Sequence, residues 1–352
     1  MNKTILFLYS ELMPYNLAWF RILIEQYKAK VVVVHWDTQK LTPYVPPPID
    51  GVVYYVRSGL NTAAMLKLSE ALNPDLIYVS GRMDKAYLNI AQKWKNKDIP
   101  VVSGLDTPWQ STWRQWFACW SSGFFFKHYF SHIWVPGFYQ YEYARRLGYL
   151  SSNILSNLCS ADTQLFLVAS ESLSIQNGIN YPHRILFIGR LSQDKGVDML
   201  TQAFIELKKT FPNDWILTLV GEGPLREYLP QHPDIECLEF MNQVDLAVLT
   251  QQSGLFCLPS HRERWGVVVH EAAAAGLPLL LADNCGAGTE FLIDGYNGYS
   301  FKPGNCQDLI DKLLKTISLP LDKLLTMRKN SRNLAQKISP ETSVANLMSA
   351  LG

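Results

Sequence analysis

The chain has 352 residues, 48% hydrophobic and 18% charged, with a formal net charge of +1. That length suits about two domains, and the balance excludes a peptide-sized fold, a disordered majority and a generally polybasic nucleic-acid binder. Cys119, Cys159, Cys237, Cys257, Cys285 and Cys306 are scattered, with no C-x-x-C pair and no His spaced to complete a zinc site. Six reduced, mostly buried thiols in a cytoplasmic protein, and no metal site, are therefore expected.

The N-terminal run Met1 to Ser10 is short and meets Glu11 at once. It reads as neither a secretory signal nor a membrane span, and no run elsewhere reaches about 18 apolar residues, so any membrane contact is expected to be peripheral. Strand-like runs follow at Thr4 to Ser10, Lys30 to Asp37, Val52 to Ser58, Asp75 to Gly81, Pro100 to Asp106 and His132 to Gly137. Most are continuously apolar, as strands covered by helices on both faces should be. The turn-forming PYVPPP run at Pro43 to Pro48 carries no assigned function. The second half repeats the pattern at Arg184 to Arg190, Trp215 to Gly221, Gly254 to Ser260 and Leu277 to Asp283. Alternation of such runs with amphipathic stretches predicts α/β architecture with two doubly wound, Rossmann-like domains facing across a cleft. The expected division is 1–166 for the N-terminal domain, 167–183 for a polar, aperiodic linker and 184–338 for the C-terminal domain. Residues 339–352 then form a helix expected to pack back on the N-terminal domain.

In open α/β sheets ligands bind beyond the carboxyl ends of the strands. There the second half places Arg190 and Lys195, in GRLSQDKG. A guanidinium fork and a mobile ammonium suit a phosphorylated ligand, although taken alone the pattern is weak, since surface Arg and Lys pairs are usually solvated. The run GLFCLPS opens into HRERWGVVVHEAAAAG, whose residues Gly266 to Ala275 form a helix stopped by Gly276. Its N-terminus faces the ligand side, where free N–H groups favour a diphosphate. Glu263 precedes that helix and Glu271 lies within it, about two turns apart, so both carboxylates can face one cleft. On the plainer reading Glu263 is a favourable anion at a helix start and Glu271 pairs with a cation in solvent. NCGAGTEFLIDGYNG, with four glycines and Glu290, and VGEGP, Val220 to Pro224, are strand-to-helix turns that cradle a ligand or simply turn the chain.

GRLSQDKGVD, VGEGP and PSHRERWGVVVHEAAAAGLPLLLADNCGAGTEFLIDGYNG, in this order, resemble the retaining GT-B glycosyltransferases of the group 1 family. Glu263 and Glu271, seven residues between them, carry that resemblance most specifically. It spans Asn153 to Phe301, since NILSNLCSADTQLF also resembles the family's interdomain segment. The resemblance implies a metal-independent, retaining hexosyl transfer from a UDP- or GDP-type nucleotide sugar to a glycan or lipid-linked acceptor, in surface polysaccharide synthesis. The nucleotide sugar is a co-substrate, and no cofactor is implied. Arg190 and Lys195 would hold the diphosphate, Glu263 the transferred sugar and Glu271 the ribose hydroxyls, with Trp265, Gly266, Val267, Gly221 and Asn242 completing the donor site. The rival reading is a noncatalytic sugar-nucleotide-binding or scaffold protein.

The chain departs from the family in its first half. SELMPYNLAWF, Ser10 to Phe20, has no glycine-rich loop, and VVSGLDTPW lacks the family's usual His. Asp106 is the nearest polar candidate, for an acceptor hydroxyl or the donor sugar; it equally suits the start of a turn before Pro108. From Trp109 to Tyr143, fifteen of 35 residues are aromatic, about 43% against 12% overall, and only Arg114, Lys127 and Glu142 are charged. Such a stretch fits a membrane interface or a lipid-linked acceptor, and equally fits helices packed on a sheet. Among the histidines only His261 and His270 stand beside the glutamates, where supporting roles are the most they suggest.

Overall fold

In a computed structural model, the structure describes residues 2–38, 44–174 and 181–352. Pro43, in the proline run, and residues 175–180 of the expected linker lie outside them. Two units emerge: residues 1–160 with 340–352, and residues 161–339.

The first unit holds a parallel sheet of seven strands. They are β1 (Thr4–Tyr9), β2 (Lys30–His35), β3 (Val52–Val56), β4 (Leu76–Val79), β5 (Val101–Gly104), β6 (His132–Trp134) and β7 (Ile154–Leu155), in the order 3-2-1-4-5-6-7. Residues 31 to 34 of β2, all Val, are at most 1% exposed, because a central strand has helices over both faces. At the edge, β3 is only half-buried. The helix Pro340–Met348 belongs to this unit. It packs on the helix Asn16–Glu25, and Ser343 Oγ donates to the Asn157 carbonyl at 2.6 Å.

The second unit holds a parallel sheet of β8 (Arg184–Ile188), β9 (Ile216–Val220), β10 (Ile235–Leu238), β11 (Leu255–Leu258), β12 (Leu279–Ala282) and β13 (Gly298–Phe301), ordered 10-9-8-11-12-13. Both sheets thus carry the Rossmann-type strand order in which the direction of winding reverses beside the first strand. The observed strands stop one to three residues short of the apolar runs at their carboxyl ends, since those last residues leave the ladder to form the ligand-side loops. Residues 167–174 of the expected linker are instead helical, in Thr163–Ser174. Thr163 and Phe166, one turn apart, are both buried, and the helix packs on Gln243–Gln251 and Val267–Ala274, so tertiary burial supplies the order that the sequence period does not. All six cysteines are free; Cys159, Cys257 and Cys285 are buried, and the other three half-buried.

Candidate functional site

The residues singled out in the second half gather at the carboxyl ends of β8, β9, β11 and β12, except Asn242, which follows β10. Backbone contacts lock the loops after β8, β9, β11 and β12 to one another. Leu191 N–H donates to the Glu222 carbonyl at 2.9 Å, and His261 N–H donates to the Asp194 carbonyl at 2.9 Å. The loop after β12 closes on the loop after β11 through Gly286 N–H to Glu263 O, 3.2 Å, and Ala287 N–H to Trp265 O, 2.9 Å. Gly221 makes the first approach feasible: its φ is +139° and a Cβ there would lie 2.1 Å from the Gly189 carbonyl oxygen, so only glycine fits.

Lys195 and Glu263 come from different loops, 68 residues apart in sequence, and meet with Nζ to Oε2 at 2.6 Å. Their side chains are 19% and 12% exposed, so this is a sheltered pair and not a solvated surface one. Ser260 Oγ donates to the same carboxylate at 3.4 Å. Arg190 is exposed at the mouth of the loop. It lies near Asp194, whose carboxyl is held below its usual range first by the Ser192 hydroxyl, at 2.5 Å, and further by the charges of Lys195 and Arg190.

Gly266 starts the helix Val267–Ala274 with a φ of +93°. This left-handed residue turns the chain sharply, and a Cβ on it would sit 3.1 Å from Glu263 Cγ. The helix N-terminus is therefore set directly beside the Glu263 side chain, and its first N–H groups have no acceptor within the helix. Val267 is half-buried there. Trp265 is 4% exposed, and its indole Nε1 has no acceptor among the described residues.

Glu271 corrects the plainer expectation of a carboxylate paired with a cation in solvent. It is 5% exposed and accepts a hydrogen bond from Gln243 Nε2 at 2.8 Å. Burial pushes its carboxyl up to about 7; the Gln243 amide works against that rise and Asp162 adds to it. His270, its neighbour, is fully buried and stacked on Phe291, with ring centroids 4.1 Å apart. The Ala161 N–H donates to Nδ1 at 3.0 Å and Nε2 lies 3.0 Å from the Ala335 carbonyl, so the proton sits on Nε2. Burial lowers this imidazole to about 4. It fastens the helix from behind.

Asn242 caps the helix Gln243–Gln251, accepting from Val244 and Asp245 N–H at 3.0 Å each. Gln243, which sequence reasoning missed, follows it; the N-Q-V-D capping pattern signals the helix, but not that Gln243 reaches Glu271. Glu290 lies half-buried in the short helix Gly288–Phe291. Among the described residues, no group of three or more His, Cys, Asp or Glu is arranged to hold a metal ion.

Asp106 stands in the first unit, just past β5. It is exposed, accepts from Thr107 Oγ1 at 3.3 Å, and its carbonyl accepts from Gln140 Nε2 at 3.1 Å. Beside it is a buried phenol: burial pushes the Tyr78 hydroxyl up, with Cys159 and Asp106 adding to the rise.

The family model of the glycosyl transferases group 1 matches residues 170–334. Glycogen synthase of Mycobacterium tuberculosis is 30% identical over 167 residues, 46% of this chain and 39% of that protein. An uncharacterized glycosyltransferase of Haemophilus influenzae is 34% identical over 158 residues, 43% of this chain and 44% of its own length. The chain thus spans less than half the length of the curated relatives it matches. Solved structures are similar over nearly the whole chain. HepE of Anabaena, in complex with UDP and glucose, has a TM-score of 0.70 at 19% identity and covers 98% of this chain and 97% of that one. A glycosyltransferase of Rickettsia africae has a TM-score of 0.73 at 14% identity, with 98% and 96% covered. The fold is GT-B, built of two Rossmann-like domains, and the segment 170–334, which carries the strand-end constellation, is the part that matches the glycosyl transferases group 1.

Proposed function

We propose that the chain is a metal-independent, retaining glycosyltransferase that takes a hexosyl group from a UDP- or GDP-type nucleotide sugar. The observation that carries this reading is the sheltered Lys195–Glu263 pair at the N-terminus of the helix Val267–Ala274. A cation from the end of β8 meets a carboxylate and a helix N-terminus from the end of β11 there. Arg190, Lys195 and the helix N–H groups neutralise the diphosphate as it departs, which is where charge develops in the transition state. Glu263, held by Lys195 and Ser260, accepts hydrogen bonds from the sugar. Glu271, ionised, accepts from the ribose hydroxyls, and Asn242 contributes by seating the helix that brings Gln243 to it. Trp265, Gly266, Val267 and Gly221 line the site. HepE, of the same fold, is bound to UDP and glucose, so uridine donors are the first to test. The acceptor is a glycan or lipid-linked saccharide in surface polysaccharide synthesis, with Asp106 offered to its hydroxyl and peripheral membrane contact through 109–143.

The test is release of nucleoside diphosphate from labelled donors, with saccharide acceptors, in excess chelator, followed by NMR of the product's anomeric proton. An α-donor giving an α-linked product supports the reading. An inverted product, or transfer that returns only with magnesium, overturns it. Tight donor binding with no turnover across acceptors favours the noncatalytic rival.

A further inference from the structure

The structure splits the aromatic stretch in two. Phe126, Phe130, Trp134 and Tyr143 are at most 6% exposed and belong to the core. Trp113, Trp116, Phe117, Trp120, Phe124 and Phe125 are 74%, 55%, 54%, 82%, 80% and 48% exposed. They stand on the helices Trp113–Trp120 and Ser122–Phe125. The longer helix is inverted relative to an ordinary surface helix. Its one buried residue is polar Gln115, whose Nε2 donates to the Pro108 carbonyl at 2.7 Å while Oε1 accepts from Gln110 N–H at 2.8 Å. A capping box formed by Thr112 and Gln115 completes the anchor. Polar bonds, with half-buried Ala118 and Cys119 packed on the core, therefore hold this helix down, and its large aromatic rings face outward as one patch. Patches of that kind mark interaction surfaces.

Charge selects the occupant. Between residues 107 and 161 there are four cations, Arg114, Lys127, Arg145 and Arg146, all exposed, and one carboxylate, Glu142. Glu142 is bonded to Arg146 at 2.7 Å. The Arg146 guanidinium in turn lies 4.7 Å from the Trp109 ring and 5.8 Å from the Trp116 ring, at the root of the patch. Two copies of this face would bring like charges together. An anionic headgroup layer instead complements the cations, while Trp and Phe rings suit its boundary with the acyl chains.

We propose that this face docks the protein on an anionic phospholipid bilayer, with the six rings at the headgroup–acyl boundary and Arg114, Lys127 and Arg145 on lipid phosphates. This deepens the peripheral contact named above and rests on that reading, giving it its residues and its lipid class.

The test is flotation with vesicles of phosphatidylcholine alone and of equal parts phosphatidylcholine and phosphatidylglycerol. Wild type should float with the anionic vesicles and weakly with the neutral ones. The exposed-ring variant W113S/W120S should lose at least about tenfold in partitioning. R114Q/K127Q should lose about 25-fold on anionic vesicles, from about fivefold per charge, and little on neutral ones. Unchanged thermal midpoints verify that both variants fold, and the charge pair tests the claim without touching a ring. Wild type that does not float, or variants that float equally, overturns the proposal. So does self-association abolished by W113S/W120S with no vesicle binding, which would make a second copy the occupant. Nucleoside diphosphate release with a water-soluble acceptor is read separately: its presence without flotation leaves the transferase reading standing, and flotation without it leaves the docking standing.

Discussion

Replacing Glu271 with Gln isolates the cost of a buried carboxylate at a helix that must also serve a ligand. The carboxyl is shifted by burial from 4.5 to about 7, which corresponds to about 3 kcal/mol between its two protonation states. The sign follows from proton counts. Between pH 4.5 and 7 the folded chain holds this proton and the unfolded chain has lost it, so the group's contribution is full below 4.5 and disappears as pH rises through 7. His270 works in the opposite sense, because burial lowers its imidazole from 6.5 to about 4: its contribution is full above 6.5 and is lost as pH falls through 4. In wild type the two slopes offset each other over the same window. E271Q keeps the Gln243 hydrogen bond, since an amide oxygen also accepts, and removes only the titration. Urea unfolding at intervals from pH 5 to 8 should therefore show the difference between E271Q and wild type moving by about 3 kcal/mol in favour of E271Q as pH rises. The variant alone should weaken on acidification, exposing the His270 slope. Nucleoside diphosphate affinity should rise more steeply with pH in wild type than in E271Q, because only the ionised carboxylate accepts two ribose hydroxyls. Parallel stability curves for the two proteins would refute the buried-carboxylate argument.

E263Q should leave affinity for bare nucleoside diphosphate within about twofold and lower turnover about a hundredfold, the scale of removing one transition-state contact; steady-state kinetics beside calorimetry separates the two effects. H270A should cost about 2–5 kcal/mol by orphaning the Ala161 N–H and the Ala335 carbonyl in the interior, read as a fall in the urea midpoint. G221A forces a Cβ to within 2.1 Å of the Gly189 carbonyl oxygen. It should lower stability by about 1–3 kcal/mol and weaken nucleotide binding as the two loops part, measured by thermal shift with and without UDP.

Much of this arrangement was legible because it is local. The run VVVV in β2 and LLLA in β12 announce buried strands, and Gly266 and Gly276 punctuate the helix between Glu263 and Glu271. Short edge strands were not: β7 has two residues, and β10 is half-exposed with Glu236 inside it, so neither stands out as an apolar run. The Glu271–Gln243 bond joins two helices 28 residues apart, and nothing in either sequence segment encodes that meeting. The aromatic stretch defeated a single reading because it is two things. Residues such as Phe130 and Trp134 are core, whereas Trp113 and Trp120 are surface, and helical spacing is the same whether the rings point inward or outward.

On the proposed function, the carboxyl edge of β8 and β11 holds a nucleotide-sugar diphosphate through Arg190 and Lys195. Titration calorimetry with UDP and GDP in chelator, on wild type and the R190A/K195A double variant, tests it most directly. Wild type should bind at least one of the two, and each lost cation should cost about 1.5 to 3 kcal/mol, so that binding by the folded double variant falls at least about a hundredfold. Equal affinity in the two proteins would contradict it.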